Sequence, residues 1–155
     1  MSVDERGKSY DKIAHMDTSI LPNTAQLLTL ATKYQLSLIV LFGSAVHGTL
    51  REESDFDIGI LSKKKLSQAK RMALWSHLSQ LFDREVDLTV LNYPNPVLDF
   101  EIAKEGILLF EAEENIWENW KSFRVRHFWD TEKFRDDLRR FVARRAEEMR
   151  HAFAE

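Results

Sequence analysis

Two short stretches alternate strictly between polar and apolar residues, and each carries its aspartates on the polar side. Ser54–Leu61 (SDFDIGIL) places Phe56, Ile58 and Ile60 on one face and Asp55, Asp57 and Gly59 on the other. Glu85–Asn92 (EVDLTVLN) sets Val86, Leu88 and Val90 against Glu85, Asp87 and Thr89. A period of two belongs to an extended strand whose side chains point alternately up and down. Two such stretches predict strands of a sheet with one buried face, and the aspartates share the other face if the two strands are neighbours.

The remaining segments supply the rest of a layered domain. Ser37–Phe42 (SLIVLF) is a continuous apolar run ended by Gly43-Ser44, the pattern of a buried strand. Thr24–Tyr34, preceded by Pro22 and Asn23, suits a helix with one buried face, and Leu66–Phe82 has helical spacing through Ala69, Ala73, Leu74, Leu78, Leu81 and Phe82. Val97–Lys104 reads as a short helix closed by Gly106, with a final strand over Ile107–Phe110. From Glu114 the chain reads as helical almost to its end, with a break at Asp130-Thr131. Residues 1–20 are polar and read as a loose arm or short helix. The expectation is an α+β fold, a mixed sheet covered by helices on one side, with the other side left for a site and a C-terminal helical extension.

With 155 residues there is room for a single domain, a core over about residues 24–111 and a helical tail over about 114–153. The net charge of -3 argues against a globally cationic nucleic-acid binder. Its distribution is uneven: residues 1–114 carry -5 and residues 115–155 carry +2. The absence of cysteine excludes disulfides, thiolate zinc sites and a cysteine nucleophile. The first 20 residues lack the apolar core of a signal peptide, and the longest central apolar stretch, 36–46, falls short of the ~20 residues of a membrane span. The chain therefore reads as cytoplasmic, with no membrane partner.

The segment richest in chemistry is Gly43-Ser44, ten intervening residues, then Asp55-Phe56-Asp57. Two aspartates at i and i+2 on a strand project from one face with their roots ~6–7 Å apart. Hard carboxylate oxygens in that arrangement suit Mg²⁺, which keeps waters and takes substrate phosphates as further ligands. A Gly-Ser pair leaving a strand lets backbone approach a ligand and offers a hydroxyl. A short helix starting at Ala45–Gly48 would add N–H groups for an anion. If the two alternating strands are neighbours, Asp87 joins Asp55 and Asp57. Three clustered carboxylates repel one another unless a cation offsets them. Asp87 could then ligate the metal and take a proton from an attacking hydroxyl.

This pattern resembles the nucleotidyltransferase superfamily that includes DNA polymerase β, whose signature is GS, about ten residues, DxD and a later carboxylate on another strand. The small size resembles the minimal nucleotidyltransferases (MNT) that pair with HEPN toxins in toxin–antitoxin modules. The resemblance covers about residues 35–111, and less specifically the aromatic and basic stretch over 120–141. It implies that Gly43 and Ser44 bind a nucleoside triphosphate, ATP, and that Asp55, Asp57 and Asp87 bind Mg²⁺ and serve catalysis. It further implies an antitoxin that transfers AMP to a hydroxyl, that of a tyrosine, on a HEPN ribonuclease, with no direct nucleic-acid contact. One position departs from the pattern. Many members carry an arginine three residues after the serine, and His47 stands there, a weaker phosphate contact at neutral pH. The alternatives are an antitoxin that neutralises by contact alone and a nucleotidyltransferase acting on a small molecule.

Other segments carry weaker signals. Lys63–Lys65 suits a solvated loop or a contact with phosphate or a partner. Trp117, Trp120, Phe123, Phe128 and Trp129 divide between core and a possible partner face. Arg71 to His77 and Arg145 to His151 repeat an Arg-x5-His spacing that also occurs in HEPN ribonucleases, but the strands exclude an all-helical fold.

Overall fold

The computed structural model describes residues 21–46 and 54–152. The N-terminal arm expected over residues 1–20 and the position of His47 lie outside the described residues.

A capping box opens α1 (Thr24–Tyr34): Asn23 accepts the Gln26 N–H at 2.9 Å and the Gln26 side chain accepts the Asn23 N–H at 3.0 Å. The helix closes on Gln35 in the left-handed conformation and leads directly into β1 (Leu36–Phe42). The second strand, β2, spans Phe56–Ser62, and α2 (Gln68–Phe82) follows, capped by Ser67. Next come β3 (Val86–Val90), α3 (Pro96–Glu105) and β4 (Ile107–Glu111). Two helices end the described chain, α4 (Ile116–Asp130) and α5 (Glu132–Ala152), and the break between them falls at Thr131, whose hydroxyl donates back to the His127 carbonyl of α4 at 2.7 Å.

The four strands lie in the order β3-β2-β1-β4. β1 runs antiparallel to both of its neighbours, and β2 and β3 run parallel. A parallel pair needs a crossover, and α2 supplies it.

One feature of the expected fold is corrected. The sheet has helices on both faces. Ile39, Leu41, Ile58 and Ile60 pack with Leu27, Leu30, Leu74 and Leu78 of α1 and α2. Leu38, Val40, Leu91 and Ile102 pack with Trp117 and Trp120 of α4 on the opposite face. Burial from both sides explains why β1 is apolar at successive positions and does not alternate. The second face is covered on its β1–β4 half, and the polar residues of β2 and β3 lie at its margin.

A buried ion pair holds that second layer. Arg124 on α4 reaches Asp99 on α3 at 3.2 Å and donates to the Leu91 carbonyl at 2.8 Å. Its guanidinium also lies over the Trp120 and Phe123 rings. Burial pushes the Asp99 carboxyl up, while the Asn95 N–H, Arg124 and His127 pull it back. Beyond this layer α5 leaves the body. Its Phe134, Leu138, Phe141 and Val142 are all exposed.

Candidate active site

The site is built where β1 ends. Phe42 pairs with Asp57 across the antiparallel ladder. The chain then turns sharply at Gly43, whose φ is +71°, into a single 3₁₀ turn, Gly43–Ala45. That left-handed value favours glycine. A second reason for glycine is spatial. A Cβ at position 43 would lie 2.7 Å from Cγ of Asp57 and closer still to Oδ2. The Asp57 carboxylate occupies that space and accepts a hydrogen bond from the Ser44 backbone N–H. The turn after β1 and the polar face of β2 are thus one unit.

The parallel ladder adds the third carboxylate. Asp57 is the direct partner of Asp87, and Phe56 of Val86. Partners in register share a face, so Asp57 and Asp87 meet, whereas Asp55 lies one residue before β2 and outside that ladder. Asp57 is half-buried, whereas Asp55 and Asp87 are exposed. The electrostatics record this crowding. Burial raises the Asp57 carboxyl above the ordinary range, and Asp87 and then Asp55 add to the rise. The Ser44 N–H opposes it. A carboxylate that its neighbours make costly to ionise is one that a cation relieves.

That donor set fits Mg²⁺. Among the described residues no group of three or more His, Cys, Asp or Glu side chains is placed so as to hold a metal ion, so Asp55, Asp57 and Asp87 do not form such a group together. Mg²⁺ does not need one. It is held through one or two carboxylates and completes its shell with water and substrate phosphates. The arrangement suits a metal shared with a nucleotide, with Gly43 and Ser44 beside it. The N–H groups expected from a short helix at Ala45–Gly48 are only partly in view: the Ser44 N–H is spent on Asp57, and the Val46 N–H bonds the Gly43 carbonyl at 3.2 Å.

Two supporting residues carry no signal in the sequence pattern. Arg84 lies over the Phe56 ring at 5.2 Å and donates to the Ser54 carbonyl at 3.3 Å, steadying the strand start that presents Asp55. Trp75 on α2 donates its indole N–H to the Val86 carbonyl at 2.8 Å, fixing the strand that carries Asp87. Neither lies in a recognisable spacing; only the guanidinium of Arg84 and the indole N–H of Trp75 hint at the contacts. The basic triplet divides, with Lys63 paired to Glu113 at 3.2 Å and Lys65 beside α2. His77 makes a hydrogen bond with Tyr34, a structural role.

Comparison with known proteins places these features in context. Residues 26–115 match the family described as polymerase beta, nucleotidyltransferase, and that span contains Gly43, Ser44, Asp55, Asp57 and Asp87. The protein adenylyltransferase MntA of Shewanella oneidensis is 33% identical over 81 residues, 52% of this chain and 58% of that relative. The chain thus matches little more than half the length of that relative. A chain in a crystal structure of a toxin–antitoxin with AMP-PNP is similar at a TM-score of 0.67 and 26% identity, over 78% of this chain and 98% of that one. In fold alone, the chain also resembles one in a structure of the tri-AMPylated Shewanella oneidensis HEPN toxin in complex with MNT antitoxin. There the TM-score is 0.60 at 23% identity, over 77% of this chain and 94% of that one. Among the described residues no helix is long and apolar enough to cross a membrane.

Proposed function

The chain belongs to the polymerase β nucleotidyltransferase family, and we propose from this that it is an antitoxin that transfers AMP from ATP to a tyrosine hydroxyl of a HEPN ribonuclease in the cytoplasm. The observation that carries the reading is the register of Asp57 with Asp87 beside the turn at Gly43. It sets two carboxylates on neighbouring strands, one of them directly against the turn.

Each residue then has a role. Gly43 leaves room for the Asp57 carboxylate, and the Gly43-Ser44 turn borders the triphosphate. Asp55, Asp57 and Asp87 would hold Mg²⁺, which supplies charge neutralisation on the phosphates and alignment of the α-phosphorus. Asp87, on the outermost strand, accepts the proton of the attacking hydroxyl. The hydroxyl oxygen bonds to the α-phosphorus as the α–β anhydride bond breaks, and pyrophosphate leaves with the electron pair. Catalysis is positioning and electrostatics, as expected for transfer of a phosphorus centre. On the toxin, the attached nucleotide adds a bulky anion that opposes RNA binding.

A second reading, neutralisation by contact alone, is favoured by one observation: α5 projects Phe134, Leu138, Phe141 and Val142 into solvent. An apolar stripe of that kind marks an interaction face. Incubating the protein with labelled ATP, Mg²⁺ and a purified HEPN partner tests the first reading. Label on the partner that disappears in Asp57→Asn is the expected result. No label with all three aspartates intact contradicts it.

A further inference from the structure

A groove of about 680 Å³ runs along the outer edge of β3, with α2 as its other wall. Asp87 borders one end, and Tyr93 and Lys65 stand at the other. The far end continues into a smaller pocket of about 120 Å³ that shares Lys65, Arg71 and Tyr93. We infer that this groove is the acceptor site: it takes an extended, acidic peptide segment of the acceptor protein as an added strand on β3, with the reacting hydroxyl at Asp87. This rests on the transferase reading above and adds to it the chemistry and path of the acceptor.

The backbone of β3 is the first support. The Phe56 N–H bonds the Glu85 carbonyl at 3.0 Å, and the Leu91 N–H bonds the Ile60 carbonyl at 2.8 Å. In a parallel ladder this parity assigns the odd-numbered residues of β3 to β2. The N–H and C=O groups of Val86, Leu88 and Val90 therefore point outward. Trp75 takes the Val86 carbonyl, and the Tyr93 N–H approaches the Val90 carbonyl at 3.4 Å. Leu88, between them and next to Asp87, presents both groups to the groove, and among the described residues no backbone group bonds either. A bare strand edge is a template for another strand. β3 has neither the Lys nor the Pro that natural edges use to discourage pairing. Peptide recognition by strand addition uses such an edge, with walls that select side chains.

The walls point to the sequence character of the segment. Met72 and Trp75 on α2 and Tyr93 at the end are 63%, 45% and 51% exposed. Lys65 and Arg71 are exposed, and no ion pair engages either among the described residues. They lie toward the Tyr93 end, which Asn92 pins by hydrogen bonds to the Ser62 backbone and hydroxyl. β3 runs three residues beyond Asp87, to Val90 beside the Tyr93 turn, roughly 10 Å. An acidic residue three or four positions from the acceptor tyrosine would meet the two cations.

Direction of approach is the second support. Strand order places the Gly43 turn, at the end of β1, and the open edge of β3 on opposite sides of β2. A nucleotide at Gly43-Ser44 meets the aspartates from the β1 side. A hydroxyl arriving along β3 meets them from the other side. Attack on the α-phosphorus opposite the leaving pyrophosphate requires such an arrangement, with the hydroxyl proton passing to Asp87.

The chain lacks cysteine, so Met72→Cys provides a single thiol on the groove wall for an environment-sensitive fluorophore. The probes are two short tyrosine peptides of equal length, one with glutamates three and four residues from the tyrosine and one with lysines there. The glutamate peptide should perturb the fluorophore at a concentration about three- to tenfold lower, the size expected of two exposed ion pairs. Lys65→Glu/Arg71→Glu should erase or reverse that preference and leave stabilisation by Mg²⁺ and ATP unchanged. The inference is overturned if neither peptide perturbs the fluorophore, if the preference survives in the double variant, or if that variant loses its response to Mg²⁺ and ATP. Peptide binding with the expected preference but without AMP transfer upholds the groove and counts against the transferase reading alone.

Discussion

The carboxylate of Asp57 fills the space that a side chain at position 43 would need, and the backbone of Ser44 donates to it. The turn after β1 and the polar face of β2 therefore cannot vary independently. Gly43 is required twice, by a φ of +71° and by Asp57.

Gly43→Ala should displace Asp57 and strain the turn. The expected cost is about 1–3 kcal/mol of unfolding free energy, read by chemical denaturation. Thermal stabilisation by Mg²⁺ and ATP should fall with it. Ser44→Ala, which keeps the backbone N–H, should leave the unfolding free energy within about 0.5 kcal/mol of wild type.

Asp57→Asn should separate stability from function. The folded protein raises the Asp57 carboxyl through burial and Asp87. The sign follows from linkage: a group held above its unfolded value binds its proton more tightly when folded, so stability rises as pH falls through that window. Without metal, the wild type should gain stability as pH drops from neutrality into the upper carboxylate range. Asp57→Asn should flatten this gain and melt slightly higher at neutral pH. Mg²⁺ should stabilise the wild type more at neutral than at acid pH, since protons compete for the same oxygen atoms. Thermal melts over a pH series with and without Mg²⁺ read all of these effects.

Arg124→Ala should be the most damaging of these substitutions. It leaves Asp99 charged and buried, removes the bond to the Leu91 carbonyl, and strips the cation from Trp120 and Phe123. Removing one partner of a buried pair typically costs about 3–5 kcal/mol. Arg124→Lys should recover only part of this, because an ammonium cannot serve Asp99 and Leu91 as a planar fork does. Denaturation of each variant gives the comparison.

Much of the frame is legible in local chemistry. Asn23 caps α1, Gly106 follows α3, and Thr131 separates α4 from α5. The two alternating stretches become β2 and β3. The candidate site was legible for the same reason: Gly43, Ser44, Asp55 and Asp57 lie close in sequence, and Asp87 has the right parity. What local patterns could not supply is pairing at a distance. The second helical layer depends on Leu38 and Val40 of β1 being as buried as Ile39 and Leu41, and an apolar run shows no preference between faces. Arg124 and Asp99 are 25 positions apart with no periodicity linking them. The groove along β3 depends on which strand ends up at the edge, a property of strand order alone. The aromatic stretch of α4 divided as its chemistry allowed, with Trp117 and Trp120 buried and Phe123 and Trp129 exposed.

In the proposed function the aspartates beside Gly43 support transfer of AMP, and that transfer neutralises the partner. The direct measurement is the intact mass of a HEPN partner after incubation with ATP, Mg²⁺ and either wild type or Asp55→Asn/Asp57→Asn, with its ribonuclease activity assayed in parallel. The expected result is a mass gain of one or more AMP units and loss of ribonuclease activity with wild type, and neither with the double variant. Full neutralisation by the double variant with no AMP attached would contradict the account.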